Sequence, residues 1–137
     1  MNHLHFNHWA ILVSAVIQWL LGAVWYSPAL FAKPWISLVG LKIDGSNKNK
    51  TMIVGMIASF IGSVVTSLML AHVVIWSGAK SVAAGALIGF ILWLGFLAAP
   101  LCASYIYEGR PFKLFAINTG YWLVALLITG GLLAVWR

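Results

Sequence analysis

Acid is nearly missing from this chain: of 137 residues only Asp44 and Glu108 carry a carboxylate, and charged residues of either sign make up 7%. Two acids on separate loops supply neither the paired carboxylates of glycoside hydrolysis nor an oxygen-rich cradle for calcium or magnesium. Cysteine is equally scarce. The single Cys102 excludes an intramolecular disulfide. Its neighbours Leu101 and Ala103 mark it as an inert buried thiol, since a nucleophilic thiolate needs a polar, basic surrounding. No glycine-rich phosphate loop follows a strand, because no strands are expected. No convincing catalytic constellation is left, and the sequence predicts neither an enzyme nor a cofactor.

The largest shortage is of water-compatible surface. The chain is 63% hydrophobic, with a mean hydropathy of +1.00. A soluble domain of this length buries only about 70% of its chain surface, too little to hide such a composition. The solvent is therefore expected to be lipid. A hydrocarbon core about 30 Å thick needs roughly 20 apolar residues per helical crossing, and such runs occur at Trp9–Tyr26, Met52–Trp76, Val82–Tyr107 and Phe112–Trp136. The runs do not alternate apolar and polar residues as barrel strands do. The predicted fold is all-α: one transmembrane domain over residues 1–137, with helices at about 9–26, 52–76, 82–107 and 112–136. No Lys or Arg precedes the first run and no Ala-x-Ala-like site ends it, so it is not expected to be a cleaved signal peptide.

The formal charge of +6 sits in connections instead of forming a face for nucleic acid. Lys33, Lys42, Lys48 and Lys50 fall between the first two runs, Arg110 and Lys113 between the last two, and only Lys80 and Arg137 on the opposite side. Basic loops remain cytoplasmic, which places the loop 27–50 inside and both termini outside. Within that loop, Pro28 and Pro34 each suit a first helical turn. Leu30, Phe31, Trp35, Leu38 and Leu41 can face lipid while Lys33, Ser37 and Lys42 face water, the pattern of a short interfacial helix. Asp44 to Lys50 reads as a turn-rich tip. Pro100 is expected to kink the third helix.

At 100° per residue, Gly55, Ser59, Gly62, Ser63, Thr66 and Ser67 share less than half of the second helix. Gly85, Gly89, Ala99 and Ala103 fall on one line of the third. Small-residue faces drive helix association in lipid, where apolar side chains gain nothing by leaving their solvent. Ser14, Gln18, Gly22 and Trp25 form a stripe on the first helix, and Asn118, Trp122, Ala125 and Thr129 another on the fourth. Gln18 and Asn118 read as interhelical glue or, alternatively, as the lining of a substrate path.

His3, His5 and His8 could ligate a metal, but no acid or cysteine accompanies them, and a polar outer flank is the simpler reading. His72 near the outer end of the second run reads as an interfacial histidine. The predicted topology gathers Trp25, Tyr26, Trp35, Glu108, Arg110, Asn118 and Tyr121 at the cytoplasmic boundary, with Tyr105, Tyr107 and Trp122 close by. An aromatic belt forms at any such boundary, but an acid, a base, an amide and several rings can converge only here. The first seven form a candidate shallow pocket for an unidentified small molecule.

The segment Gly22-Ala23-Val24-Trp25-Tyr26-Ser27-Pro28-Ala29-Leu30-Phe31-Ala32-Lys33-Pro34-Trp35, with Glu108-Gly109-Arg110 and Asn118-Thr119-Gly120-Tyr121, resembles the bacterial membrane proteins grouped as domain-of-unknown-function family 1761. The likeness runs from about Trp9 to Trp136. It implies a small helical protein of the bacterial cytoplasmic membrane and brings no agreed activity with it. The expected role is an oligomerising structural or interaction module whose partners are membrane lipid and other copies of itself. The alternative is a small transporter or efflux component, although the first helix carries Gln18 where small multidrug exporters carry a carboxylate.

Overall fold

The computed structural model describes residues 5–39 and 48–136. His3, Leu41, Lys42, the tip residues 44–47 and Arg137, all used in the sequence reading, lie outside the described residues. The described chain is helical: α1 (His8–Trp25), α2 (Ala32–Val39), α3 (Lys48–Ser77), α4 (Val82–Trp93), a π-turn (Leu94–Ala98), α5 (Ala99–Tyr107) and α6 (Phe112–Val135). No strand occurs among the described residues. Four segments are long and apolar enough to cross a membrane: His8–Trp25, Asn49–Ser77, Val82–Tyr107 (α4, the π-turn and α5 in sequence), and Phe112–Val135.

Local chemistry sets the ends. Asn7 caps α1 by accepting the Ala10 N–H at 3.1 Å, and Ser81 does the same for α4 with Ala84. Gly78 (φ 72°) and Gly109 (φ 66°) take the left-handed conformation that terminates α3 and α5. Lys48, Asn49 and Lys50, read from sequence as part of a turn, already belong to α3. Nothing in the segment from Lys48 onward breaks a helix, so the span continues about one turn beyond its apolar part.

The packing is lopsided. α1 lies against α3 and α6, α4 packs extensively on α6, and α3 touches α6. α3 and α4, although joined by the short turn Gly78–Ser81, make little contact with each other. The bundle is therefore open along one side. Large apolar residues such as Ile57, Leu87, Ile91, Phe96 and Ile106 point outward, an arrangement favourable only where the surroundings are themselves apolar. At the end bearing the α3–α4 turn, the core is aliphatic and built from Ile11, Leu70, Val74, Leu126 and Leu133. At the opposite end it is aromatic.

The π-turn rewrites the third span. Ala99 N–H donates to Leu94 O, five residues back, which inserts an extra residue and rotates the rest of the span by about 100°. Gly85 and Gly89 are buried, whereas Ala99 and Ala103 are exposed. The single line drawn through all four in the sequence is broken there. The same rotation turns Cys102 outward, so it is exposed and not the buried thiol expected. Pro100 stands in the first turn of α5, where its missing N–H costs least.

Between α1 and α2 the chain turns on Ser27. Its carbonyl accepts the N–H groups of Leu30 (3.0 Å) and Ala32 (3.1 Å), and its hydroxyl donates to Val24 O at 2.6 Å. Pro34 lies in the first turn of α2, as expected, but Pro28 lies in the connecting turn and outside any helix. Phe31, Trp35 and Leu38 are half-buried on the side of α2 that faces the bundle, while Lys33, Ile36 and Ser37 are exposed. Trp35 thus turns to Tyr26 and not to lipid.

Candidate functional site

The Trp25-Tyr26 pair ends α1 facing the first turns of α6. Trp25 Nε1–H donates to Ile117 O at 2.9 Å, and its ring lies over Gly120, where an added Cβ would sit 3.3 Å from Cζ2. One residue on, Tyr26 OH donates to Asn118 Oδ1 at 2.8 Å, and Asn118 Nδ2 donates to Tyr105 OH at 2.8 Å. A single amide thereby ties α1, α6 and α5 together. Tyr121 OH donates to Gln18 O at 2.8 Å, with Gly22 making room for the ring. Tyr26 also meets Trp35 edge-on at 5.4 Å and Tyr121 at 5.9 Å. The arrangement is a clasp of rings closed by hydrogen bonds.

Of the pocket residues gathered from sequence, Trp25, Tyr26, Trp35, Asn118 and Tyr121 come together. Glu108 does not. It is exposed, and its side chain meets Arg110 at 3.4 Å across a solvated turn. Arg110 reaches the margin of the cluster, its guanidinium 4.1 Å above the Tyr105 ring. Tyr105, placed at the same boundary by sequence but outside the candidate pocket, is a full member, since it receives the second Asn118 bond. Phe31, which packs on Trp25 at 5.0 Å, and Gly120 were not foreseen as members. Gly120 carried one readable signal, its place beside Tyr121 in the piece Asn118-Thr119-Gly120-Tyr121. A backbone acceptor such as Ile117 O carries none.

Deeper in the bundle, Gln18 Nε2 donates to Thr129 Oγ1 at 3.2 Å, and both residues are fully buried. Thr129 passes its own hydrogen to Ala125 O at 2.7 Å. Gln18 Oε1, Ser14 Oγ and Ser67 Oγ are buried without a hydrogen-bond partner. Trp19 on Phe60 and Phe6 on His72 fix the antiparallel register of α1 and α3. That register sets Ser14 about level with Val64 and Val65, and Gln18 about level with Phe60 and Ile61, each less than one turn from Ser67 and Ser63.

The small residues divide sharply. A Cβ on Gly85 would strike Gly130 O and Ala134 Cβ, and one on Gly89 would strike Leu126 O, so α4 and α6 meet backbone to backbone. Ser63 and Ser67 are buried in the α3 interface. By contrast, Gly55 and Gly62 have nothing within 4 Å, and Ser59 between them is exposed.

Two cavities lie away from the aromatic clasp. One of about 10 Å³ is bounded by His5, Phe6, Ile11, Ile75, Leu133 and Trp136, and the other is an apolar groove of about 420 Å³ between α3 and α4. His72 uses Nδ1–H on Leu68 O at 2.7 Å and stacks with Phe6 at 4.3 Å. Among the described residues, no group of three or more His, Cys, Asp or Glu side chains comes together. Within the clasp, the geometry can hold three helix ends in register. Among the described residues it places no carboxylate or imidazole within the cluster of rings.

Neither the curated proteins nor the solved structures contain a match to this chain. A family model does match, over residues 9–134, and nearly every residue of the clasp and the helix contacts falls inside it. The chain belongs to the family described as protein of unknown function (DUF1761).

Proposed function

We propose that this chain is a bacterial cytoplasmic-membrane protein that works by assembly, presenting α3 to another transmembrane helix of its own kind. One observation carries the reading: among the described residues, Gly55 and Gly62 of the α3 stripe meet nothing within 4 Å and Ser59 between them is exposed, while the equivalent stripe on α4 is filled by α6. In lipid an unfilled small-residue stripe permits the close backbone approach that drives helix pairing. The basic connections face the cytoplasm, in keeping with the excess of Lys33, Lys50, Arg110 and Lys113 over Lys80. α2 lies along that surface with Lys33 and Ser37 toward water. The clasp ties α2, α5 and α6 to the end of α1.

The test is disulfide crosslinking in native membranes of Ser59→Cys in a Cys102→Ser background. A dimer band that disappears when Gly62 is also changed to Leu supports assembly through this face. Monomer alone under oxidising conditions refutes it.

A further inference from the structure

We propose that the groove between α3 and α4 is a phospholipid site, seating one acyl chain with the phosphate held at Lys80. The proposal concerns the half of α3 beyond the Gly55–Gly62 stripe and does not depend on self-association. The groove is walled by Val65, Thr66, Met69 and Val73 on α3 and by Leu92 and Phe96 on the opposing span, with Leu126 of α6 between them; Thr66 supplies its one side-chain hydroxyl. Its volume is about 420 Å³. It exists because α4 is drawn onto α6 by Gly85 and Gly89, leaving α3 and α4 apart below their connecting turn.

Depth and charge select the occupant. At 1.5 Å per residue, Val73 lies about 6 Å and Val65 about 18 Å below Ser77. On the opposing side Leu92 and Phe96 lie about 15 and about 21 Å below Val82, so the groove occupies the inner part of one leaflet of a 30 Å hydrocarbon core. Water would find too few polar partners there, and an empty groove would forfeit the dispersion contacts of its walls. Directly above, the Gly78–Ser81 turn bridges the two walls and carries Lys80, exposed and the only Lys or Arg at this end among the described residues. The neighbouring hydroxyls are committed elsewhere: Ser77 donates to Val74 O, and Ser81 caps α4. A phosphate at headgroup level with its chain directed inward satisfies the ammonium and fills the groove together.

The experiment uses the full chain, Cys102→Ser, reconstituted in phosphatidylcholine vesicles with increasing amounts of phosphatidylglycerol bearing brominated chains. A bimane is placed on Met69→Cys in the groove or on Ile91→Cys, exposed at similar depth. Quenching at Met69→Cys should saturate at a low fraction of brominated lipid, while Ile91→Cys tracks bulk lipid. Lys80→Ala, a surface change that leaves the core intact, should raise the half-saturating fraction about fivefold, the factor expected for one ammonium near an anionic headgroup. Lys80→Arg should restore it. Leu92→Trp, which fills the groove, should return Met69→Cys to bulk behaviour. Identical curves at the two positions, or no effect of Lys80→Ala, overturn the proposal. Efficient Met69→Cys disulfide dimerisation in the same vesicles also overturns it, because a second copy would then occupy the groove; dimerisation at Ser59→Cys bears only on assembly.

Discussion

Tyr26 and Asn118, 92 residues apart in sequence, are joined by a 2.8 Å hydrogen bond in which the phenol donates to the amide oxygen. The other half of the same amide donates to Tyr105. Asn118→Leu removes both bonds and leaves two phenols without their partner. Intramembrane hydrogen bonds average about 0.6 kcal/mol and reach about 1.7 kcal/mol, so a loss of about 1–3 kcal/mol is expected in thermal unfolding in detergent. An unchanged melting temperature would show that the clasp contributes nothing to stability.

Trp25 and Glu108 were placed together by sequence and are separated by structure. Trp25→Phe keeps an aromatic side chain but removes the bond to Ile117 O and the part of the indole that lies over Gly120, at a cost of at least about 0.5–1.5 kcal/mol. Glu108→Ala should change stability by less than about 0.5 kcal/mol, because the Arg110 pair is exposed. Equal effects of the two substitutions in parallel melts would place Glu108 back in the cluster.

The glycines give the cleanest contrast. Gly89→Leu forces a side chain into Leu126 O and should prevent stable folding, while Gly89→Ala should cost about 1–3 kcal/mol. Gly55→Leu and Gly62→Leu meet open space and should leave the monomer's unfolding free energy within about 0.5 kcal/mol of the parent. Size-exclusion elution and melts of the four variants, measured side by side, decide the matter. Destabilisation of the monomer by Gly62→Leu would contradict an unfilled face.

Gln18→Met removes a buried amide whose oxygen lacks a partner, and Thr129 keeps its bond to Ala125 O. Such a change should be neutral or stabilising, by up to about 1 kcal/mol. Destabilisation beyond about 1 kcal/mol would reveal a partner for the Gln18 oxygen, such as an internal water.

Helix content was legible because lipid leaves the backbone few options: four long apolar runs must satisfy their own N–H and C=O groups. The ends of α1 and α4 were not marked as capped, although Asn7 and Ser81 stand where caps are strong. Half of the clasp was legible as a coincidence of rings at one boundary. The half supplied by Ile117 O and Gln18 O was not, because every residue has a carbonyl and only packing decides which one meets an indole or a phenol.

Composition and run length by themselves determined an all-helical chain with four segments long enough to span a membrane, and the spacing of glycines and serines determined which helix faces are smooth. Only the tertiary structure decided how those faces are used. Gly85 and Gly89 are spent on α6, Gly55 and Gly62 are left open, and a π-turn carries Ala99, Cys102 and Ala103 off the line that a regular helix would give them. The physical reason is that periodicity fixes a residue's angle around its own helix. Which neighbour stands at that angle depends on contacts between segments far apart in sequence, and one extra residue in a turn rotates everything beyond it.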